Sequence, residues 1–166
     1  MMRDIILIAH NLRSCHNVGS LLRTAEGLGV QKVILSGYTP HPAYEGDRRL
    51  PHEVLKLARQ IHKTALGAEM MISWEYHHEL LPVIQKLQKD GYALAAVEQA
   101  DDARELPKYH PPHKVALIVG REVEGVEQEI VDACDLCLEI PMLGKKESFN
   151  VVQAAAMALY HCRFTV

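Results

Sequence analysis

DIILIAHNLRSCHNVGSLLRTAEGLGV, Asp4 to Val30, carries the pattern that decides the fold. Its first seven residues, Asp4–His10, are almost continuously apolar and run straight into polar punctuation. That is the pattern of a strand buried on both faces. From Val18 to Leu28 the period changes: Leu21, Leu22, Ala25 and Leu28 fall on one face at helical spacing. Gly29 follows, where a helix end wants left-handed backbone. A buried strand turning directly into an amphipathic helix opens a parallel βαβ unit.

The same alternation recurs downstream. Further strands are predicted over Lys32–Gly37, Met70–Trp74, Tyr92–Glu98, Val115–Val119 and Leu136–Ile140, and helices over His52–Ala65, His77–Lys89, Gln128–Ala133 and Val151–Cys162. The sum is an α/β protein, a parallel sheet with helices on both faces. Gly37–Pro51 (GYTPHPAYEGDRRLP) and Leu106–His113 (LPKYHPPH) break the pattern, and their Pro and Gly make them loops. With 166 residues and no repeat or linker, residues 1–166 read as a single domain.

Composition narrows the function classes. Hydrophobic residues make up 48% and charged residues 23%, the balance of a globular chain rather than a disordered or collagen-like one. Net charge is −3, so a nucleic-acid partner would have to be held by a local basic patch. No apolar run approaches the ~18 residues of a membrane span, and the opening stretch lacks a signal-peptide layout. The chain therefore reads as cytoplasmic, with no membrane partner. Cys15, Cys134, Cys137 and Cys162 read as free thiols. The lone Cys134–Cys137 pair falls short of a four-ligand zinc pattern, so no metal is expected.

Three constellations carry chemistry. In the first helix Asn17 suits an N-cap and Arg23 projects opposite the apolar face. Gly19 near the helix start suits an anion site, while the bland alternative is a solvated arginine on an ordinary helix. Neither GxGxxG nor a Walker A sequence occurs. The second constellation, VALIVGREVEGV, is a buried strand followed by Gly120, Glu122 and Gly125. Ligands of open α/β sheets bind beyond such carboxyl ends. The third, LEIPMLGKKESFNVVQAAAMALY, joins a strand end, a loop and a small-residue helix that Ser148 or Asn150 can cap. Its apolar loop Ile140–Glu147 could wrap a small heterocycle, and its alanines suit close packing against a helix or subunit.

Together the three segments resemble the signature motifs of the SPOUT superfamily, specifically its SpoU (TrmH-like) branch of RNA ribose 2′-O-methyltransferases. The first motif is matched by Asn17, Gly19, Arg23 and Thr24, and the second by Gly120, Glu122 and Gly125. The third is matched by Ile140, Pro141, Met142, Ser148, Asn150 and Ala154–Ala156. Arg121 stands where the family usually has Asn, and Phe149 where it usually has Leu. The chain resembles the bare catalytic core, without the extra RNA-binding domain of several relatives.

The resemblance implies a deep C-terminal trefoil knot, S-adenosylmethionine as cofactor, an RNA substrate (tRNA or rRNA) and an obligate homodimer with its sites near the interface. It implies cofactor contacts from Val97, Gly120, Ile140, Met142, Leu143 and Ser148. Arg23 would serve the departing 2′-hydroxyl proton, as base or as electrostatic stabiliser. Asn17, Glu122, Ser148 and Asn150 would position ribose, phosphate and Arg23. Arg13, Arg48, Arg49, Arg121, Lys145 and Lys146, on predicted loops or helix starts, are the candidate RNA contacts. Two other readings stay open: a non-catalytic RNA- or nucleoside-binding dimer that keeps the fold, and a small-molecule α/β enzyme.

Overall fold

A computed structural model describes residues 2–165. The strands are β1 (Asp4–His10), β2 (Lys32–Ser36), β3 (Trp74–His77), β4 (Ala93–Val97), β5 (Arg104–Glu105), β6 (Lys114–Val119) and β7 (Leu136–Glu139). The helices are α1 (Cys15–Gly27), α2 (Pro51–Ala65), α3 (Leu81–Lys89), α4 (Gln128–Ala133) and α5 (Val151–Phe164). One sheet runs β3-β2-β1-β6-β4-β7-β5, and every strand pairing is parallel. β1 to β3 build outward on one side, and β4 onward fill the other. The direction in which strands are added therefore reverses between β1 and β6, the kind of switch point where such sheets bind ligands.

Both faces of the sheet are covered. Along β1, Ile5, Leu7 and Ala9 point into one core layer, with Leu21 of α1, Ile61 of α2 and Ala155 of α5. Ile6 and Ile8 point into the other, with Ile84 of α3 and Ile130 of α4. This is the two-residue period of a strand with no wet face. Gly19 sits where α1 crosses α2: a Cβ there would collide with the Ile61 carbonyl oxygen. The glycine permits close helix packing and is buried beneath α2, so it is not free to hold an anion.

Three sequence expectations are corrected. The strand predicted at Met70–Trp74 is Trp74–His77, preceded by a 3-10 turn over Ala68–Met70. The Met70 and Met71 side chains that suggested a buried run are exposed. The helix predicted from His77 begins at Leu81, because His77 closes β3 and pairs with Ser36. α1 begins at Cys15 and is capped by Ser14, whose side chain accepts from the Asn17 N–H; Asn17 is not the cap. The short β5 was not anticipated.

Candidate active site

The carboxyl ends of β4, β6 and β7 open on a cavity of about 230 Å³. Its apolar wall includes Val97, Val119, Ile140 and Met142, and Gly120 and Ser148 line it as well. Five of the six expected cofactor contacts are thus in one place. Leu143 is the exception: it is fully exposed on the loop and lies outside the lining.

Glu122 sits at the rim and is held by the start of α1. Its Oε1 accepts from the Ser14 N–H at 3.1 Å and from Asn17 Nδ2 at 3.1 Å. The Arg13 N–H approaches at 3.3 Å. Burial works against the charge of Glu122, but these donors outweigh it and hold the carboxyl below its ordinary value. Ser14 caps α1, and the Asn17 side chain instead positions Glu122.

Behind the rim lies a network that sequence reasoning missed. Glu127 accepts from Asn11 Nδ2 at 2.8 Å, from His10 Nε2 at 3.0 Å and from Arg121 Nη2 at 2.6 Å. Nε2 of His10 therefore carries the proton, and its Nδ1 accepts from the Ser36 hydroxyl at 2.8 Å. Asn11 adopts left-handed backbone with φ 55°, which asparagine tolerates better than most residues. Burial lowers the pKa of His10, and Glu127 offsets part of that. Burial raises the Glu127 carboxyl, but Asn11, His10 and Arg121 bring it below the ordinary range.

Arg121 lines the cavity. One nitrogen is tied to Glu127, and its buried Nε has no hydrogen-bond partner among the described residues. A buried donor without an acceptor at a cavity wall is what a polar ligand atom would satisfy.

Two residues at the end of β4 shape the opposite wall. Glu98 accepts from the Val126 and Gln99 N–H groups, each at 2.9 Å. Gly125, with φ 72°, lies against it, and a Cβ there would collide with the Glu98 carboxylate. Gln99 Nε2 donates to the Glu147 carbonyl at 2.7 Å and so ties the loop before α5 to β4. Gly125 belongs to the second motif, but nothing in the sequence tied it to Glu98, and nothing marked Gln99 or Glu127.

The remaining expected residues are dispersed. Asn150 caps α5, its Oδ1 accepting from the Val152 N–H at 2.9 Å. Arg23 is exposed on α1, outside the cavity lining. It stands six residues, ~9 Å of helix, beyond Asn17. Arg13, Arg48, Lys145 and Lys146 are exposed, and Arg13 makes a loose 3.4 Å pair with Glu124. Arg49 is not a free cation: it grips Asp47 and donates to the carbonyls of His41 and Pro42. Its role is to brace its own loop.

The four cysteines are free. Burial pushes the Cys134 thiol up to about 12 and Cys137 up to about 11, which makes them poor nucleophiles and ligands. Among the described residues no three His, Cys, Asp or Glu side chains are grouped to hold a metal. None of the described helices is long and apolar enough to cross a membrane.

A parallel α/β sheet with its cavity at the carboxyl edge defines the class, and comparison with known proteins gives the family. The profile of the SpoU rRNA methylase family matches residues 4–160, so the chain belongs to that family, as its motifs suggested. A Staphylococcus haemolyticus protein named for the TrmH family of tRNA/rRNA methyltransferases is 28% identical over 93% of this chain and 56% of its own length. This chain therefore spans little more than half of the curated relatives it matches. The SpoU methyltransferase AviRb of Streptomyces viridochromogenes, solved with AdoMet, has TM-score 0.80 at 18% identity, covering 98% of this chain and 57% of AviRb. The TrmH/SpoU tRNA modifying enzyme of A. aeolicus has TM-score 0.78 at 22% identity, covering 97% of this chain and 74% of that one. At these identities the solved structures establish the fold.

Proposed function

We propose that the chain is an S-adenosylmethionine-dependent RNA methyltransferase acting on a ribose 2′-hydroxyl of tRNA or rRNA. The observation that carries this reading is the Asn17–Glu122 pair at the rim of a carboxyl-edge cavity that Ser148 and Arg121 also line. Family membership and the AdoMet complex of AviRb support it. In this reading residues 1–166 form one methyltransferase domain working in the cytoplasm.

The residues fit the cofactor. Val97, Ile140 and Met142 offer an apolar wall, the Glu122 carboxylate suits a cation, and the unpartnered Arg121 Nε suits an anionic or hydroxyl oxygen. When bound, the cofactor supplies a methyl group on a positively charged sulfonium. The cavity is smaller than the ~300 Å³ usual for a ligand of this size. Leu143, exposed outside the lining, would reach the cofactor only if the loop before α5 folded inward.

The chain's own part is placement and charge. Holding a ribose hydroxyl in line with the methyl contributes up to ~7–11 kcal/mol in favourable systems. Glu122, fixed by Asn17 and the Ser14 N–H, accepts from ribose or orients the arginine. Ser148 lines the same cavity and would share that task, and Asn150 fixes the start of α5. A guanidinium is effectively always protonated. Arg23 therefore acts as a cation that steadies the developing alkoxide while an RNA phosphate or water takes the proton.

Arg23 lies outside the cavity of its own chain, and this leads to the homodimer. α1 packs beside α5 in one layer. On α5, Tyr160 and Phe164 are exposed, their rings tilted against each other with centroids 4.7 Å apart, next to an apolar groove that includes Leu106 and Met157. A second copy seated there would bring Arg23 near its partner's cavity. Mixing Arg23→Ala with Glu122→Ala copies then restores about a quarter of wild-type activity, because half the dimers are mixed and each keeps one composite site. The trefoil knot belongs to the same reading. β7 inserts between β4 and β5, so the Ile140–Asn150 segment emerges beside a connection already laid down.

The position of Arg23 also favours a second reading, a non-catalytic RNA-binding dimer. Calorimetry with S-adenosylmethionine, followed by mapping of ribose methylation in cells with and without the gene, separates the two. Cofactor binding and one missing ribose methyl in the deletion strain support the enzyme. Binding with an unchanged methylation map supports the non-catalytic dimer.

A further inference from the structure

The carboxyl edge carries a second cavity that methyl transfer does not use. It measures about 370 Å³ and opens among the ends of β1, β2 and β3. That volume falls in the ~300–1,000 Å³ range of small-ligand sites. Its floor is aromatic: His41 is buried and stacks on Tyr76 with ring centroids 4.1 Å apart. The rings of Tyr44 and Trp74 lie 5.6 and 6.3 Å from His41. His41 Nδ1 is 3.1 Å from the Pro42 carbonyl oxygen. A carbonyl can only accept, so Nδ1 carries the proton of the neutral ring and Nε2 is left as an acceptor. No described residue pairs with that Nε2. Tyr38, half exposed, and Arg13 line the cavity as well.

This cavity is held in shape before any ligand arrives. The Tyr38 N–H donates to Asn11 Oδ1 at 3.1 Å, and the Tyr76 hydroxyl donates to the Gly37 carbonyl at 2.6 Å. The Thr39 hydroxyl donates to the Ser36 carbonyl at 2.7 Å. Arg49 braces the His41 and Pro42 carbonyls at 3.2 and 3.1 Å. A preformed site avoids the ordering cost of binding.

Its place relative to the first cavity is set by the sheet. β2 and β4, near the two centres, are three strands apart in the sheet order, ~14 Å at ~4.8 Å per strand. Arg13 joins the two sites: its N–H meets Glu122 at the first, and its side chain lines the second.

We propose that the second cavity holds a nucleobase of the RNA substrate a few nucleotides from the methylated one. Tyr38 is the stacking ring, His41 Nε2 accepts from a base N–H, and Arg13 meets the adjoining phosphate. The inference rests on the RNA-methyltransferase reading above. Single-stranded RNA is read by splayed bases that stack on aromatic side chains and hydrogen-bond along their edges, and this cavity offers both. The ~14 Å separation is about four ~3.4 Å steps between stacked nucleotides, so the occupant is not the target but a base a few nucleotides along the same strand.

The test compares the full chain with Tyr38→Ala and Tyr38→Phe. The probes are total tRNA and total ribosomal RNA from cells lacking the gene, with S-adenosylmethionine affinity and melting temperature measured alongside. Tyr38→Ala is expected to weaken binding of the methylated RNA about 5- to 150-fold, the loss of one base–aromatic stack. Cofactor affinity and melting temperature stay unchanged, and Tyr38→Phe, which keeps the ring, restores most of the loss. RNA affinity of Tyr38→Ala equal to wild type, on an RNA the wild type methylates, overturns this subsite alone. A loss matched by a lower melting temperature overturns it too. A wild-type chain that neither binds nor methylates either RNA pool overturns both the subsite and the reading beneath it.

Discussion

Replacing Glu127 with alanine removes one acceptor from three donors at once: Asn11 Nδ2, His10 Nε2 and Arg121 Nη2. The three losses are not equal. The Arg121 side chain is 26% exposed and can turn toward water, so its share is small. The His10 side chain is only 9% exposed and keeps a buried N–H with no acceptor. Asn11 is pinned by left-handed backbone and by its bond to the Tyr38 N–H. At ~1–3 kcal/mol for each donor left unsatisfied, the variant should lose about 3 kcal/mol. For a chain of this size ~2–4 °C accompanies each kcal/mol, which gives a fall in melting temperature of about 6–12 °C. The assay is thermal denaturation at pH 7.5, paired with calorimetric titration of S-adenosylmethionine. Cofactor binding should weaken as well, because Arg121 lines the cavity and loses its anchor. Glu127→Gln keeps one acceptor oxygen and should lose roughly half as much. A melting temperature within about 2 °C of wild type, with cofactor affinity unchanged, would refute the claim that this network holds the second motif in place.

Other expectations follow from the same geometry. Arg23→Ala should bind cofactor normally and lose at least ~100-fold in turnover; near-normal methylation by that variant removes Arg23 from the mechanism. Gln99→Ala cuts the tie between β4 and the Glu147 carbonyl and should weaken cofactor binding about fivefold, the worth of one hydrogen bond, as calorimetry would show. Burial holds His10 and His41 below the ordinary imidazole value of 6.5. The folded state favours their neutral rings, so the unfolded chain binds more protons as the medium acidifies. Stability should be complete above pH 6.5 and fall as the pH drops through the lowered values. A melting temperature that rises on acidification from pH 7 to 5 contradicts this assignment.

The sheet was legible because its strands are buried on both faces. Near-continuous apolar runs such as Ile5–Ala9 and Val115–Val119 have no other comfortable place in a chain of this length. The outer strand β3 was harder to find. Its residues, WEYH, are all half-buried and amphipathic, while the more apolar Met70–Ile72 run beside it forms a turn. The strand order was not legible at all, because parallel pairing joins segments far apart in the chain, as β1 joins β6. At the site, Asn17 and Glu122 were found because they sit in family motifs, although they pair across more than a hundred residues, whereas Glu127, outside those motifs, was not. Its meaning comes from Asn11 and His10, more than a hundred residues earlier. Arg49 shows the converse: a cation in a basic-looking loop spent on backbone carbonyls that only the fold brings near.

The central claim is that this chain moves a methyl group from S-adenosylmethionine to a ribose oxygen of RNA. Incubating the purified protein with methyl-labelled cofactor and RNA from cells lacking the gene, then hydrolysing the RNA with alkali, tests it directly. A 2′-O-methyl blocks cleavage of the adjoining phosphodiester, so label should appear in alkali-resistant dinucleotides. Label recovered only in mononucleotides, as base methylation would give, or no label in any RNA, contradicts the account.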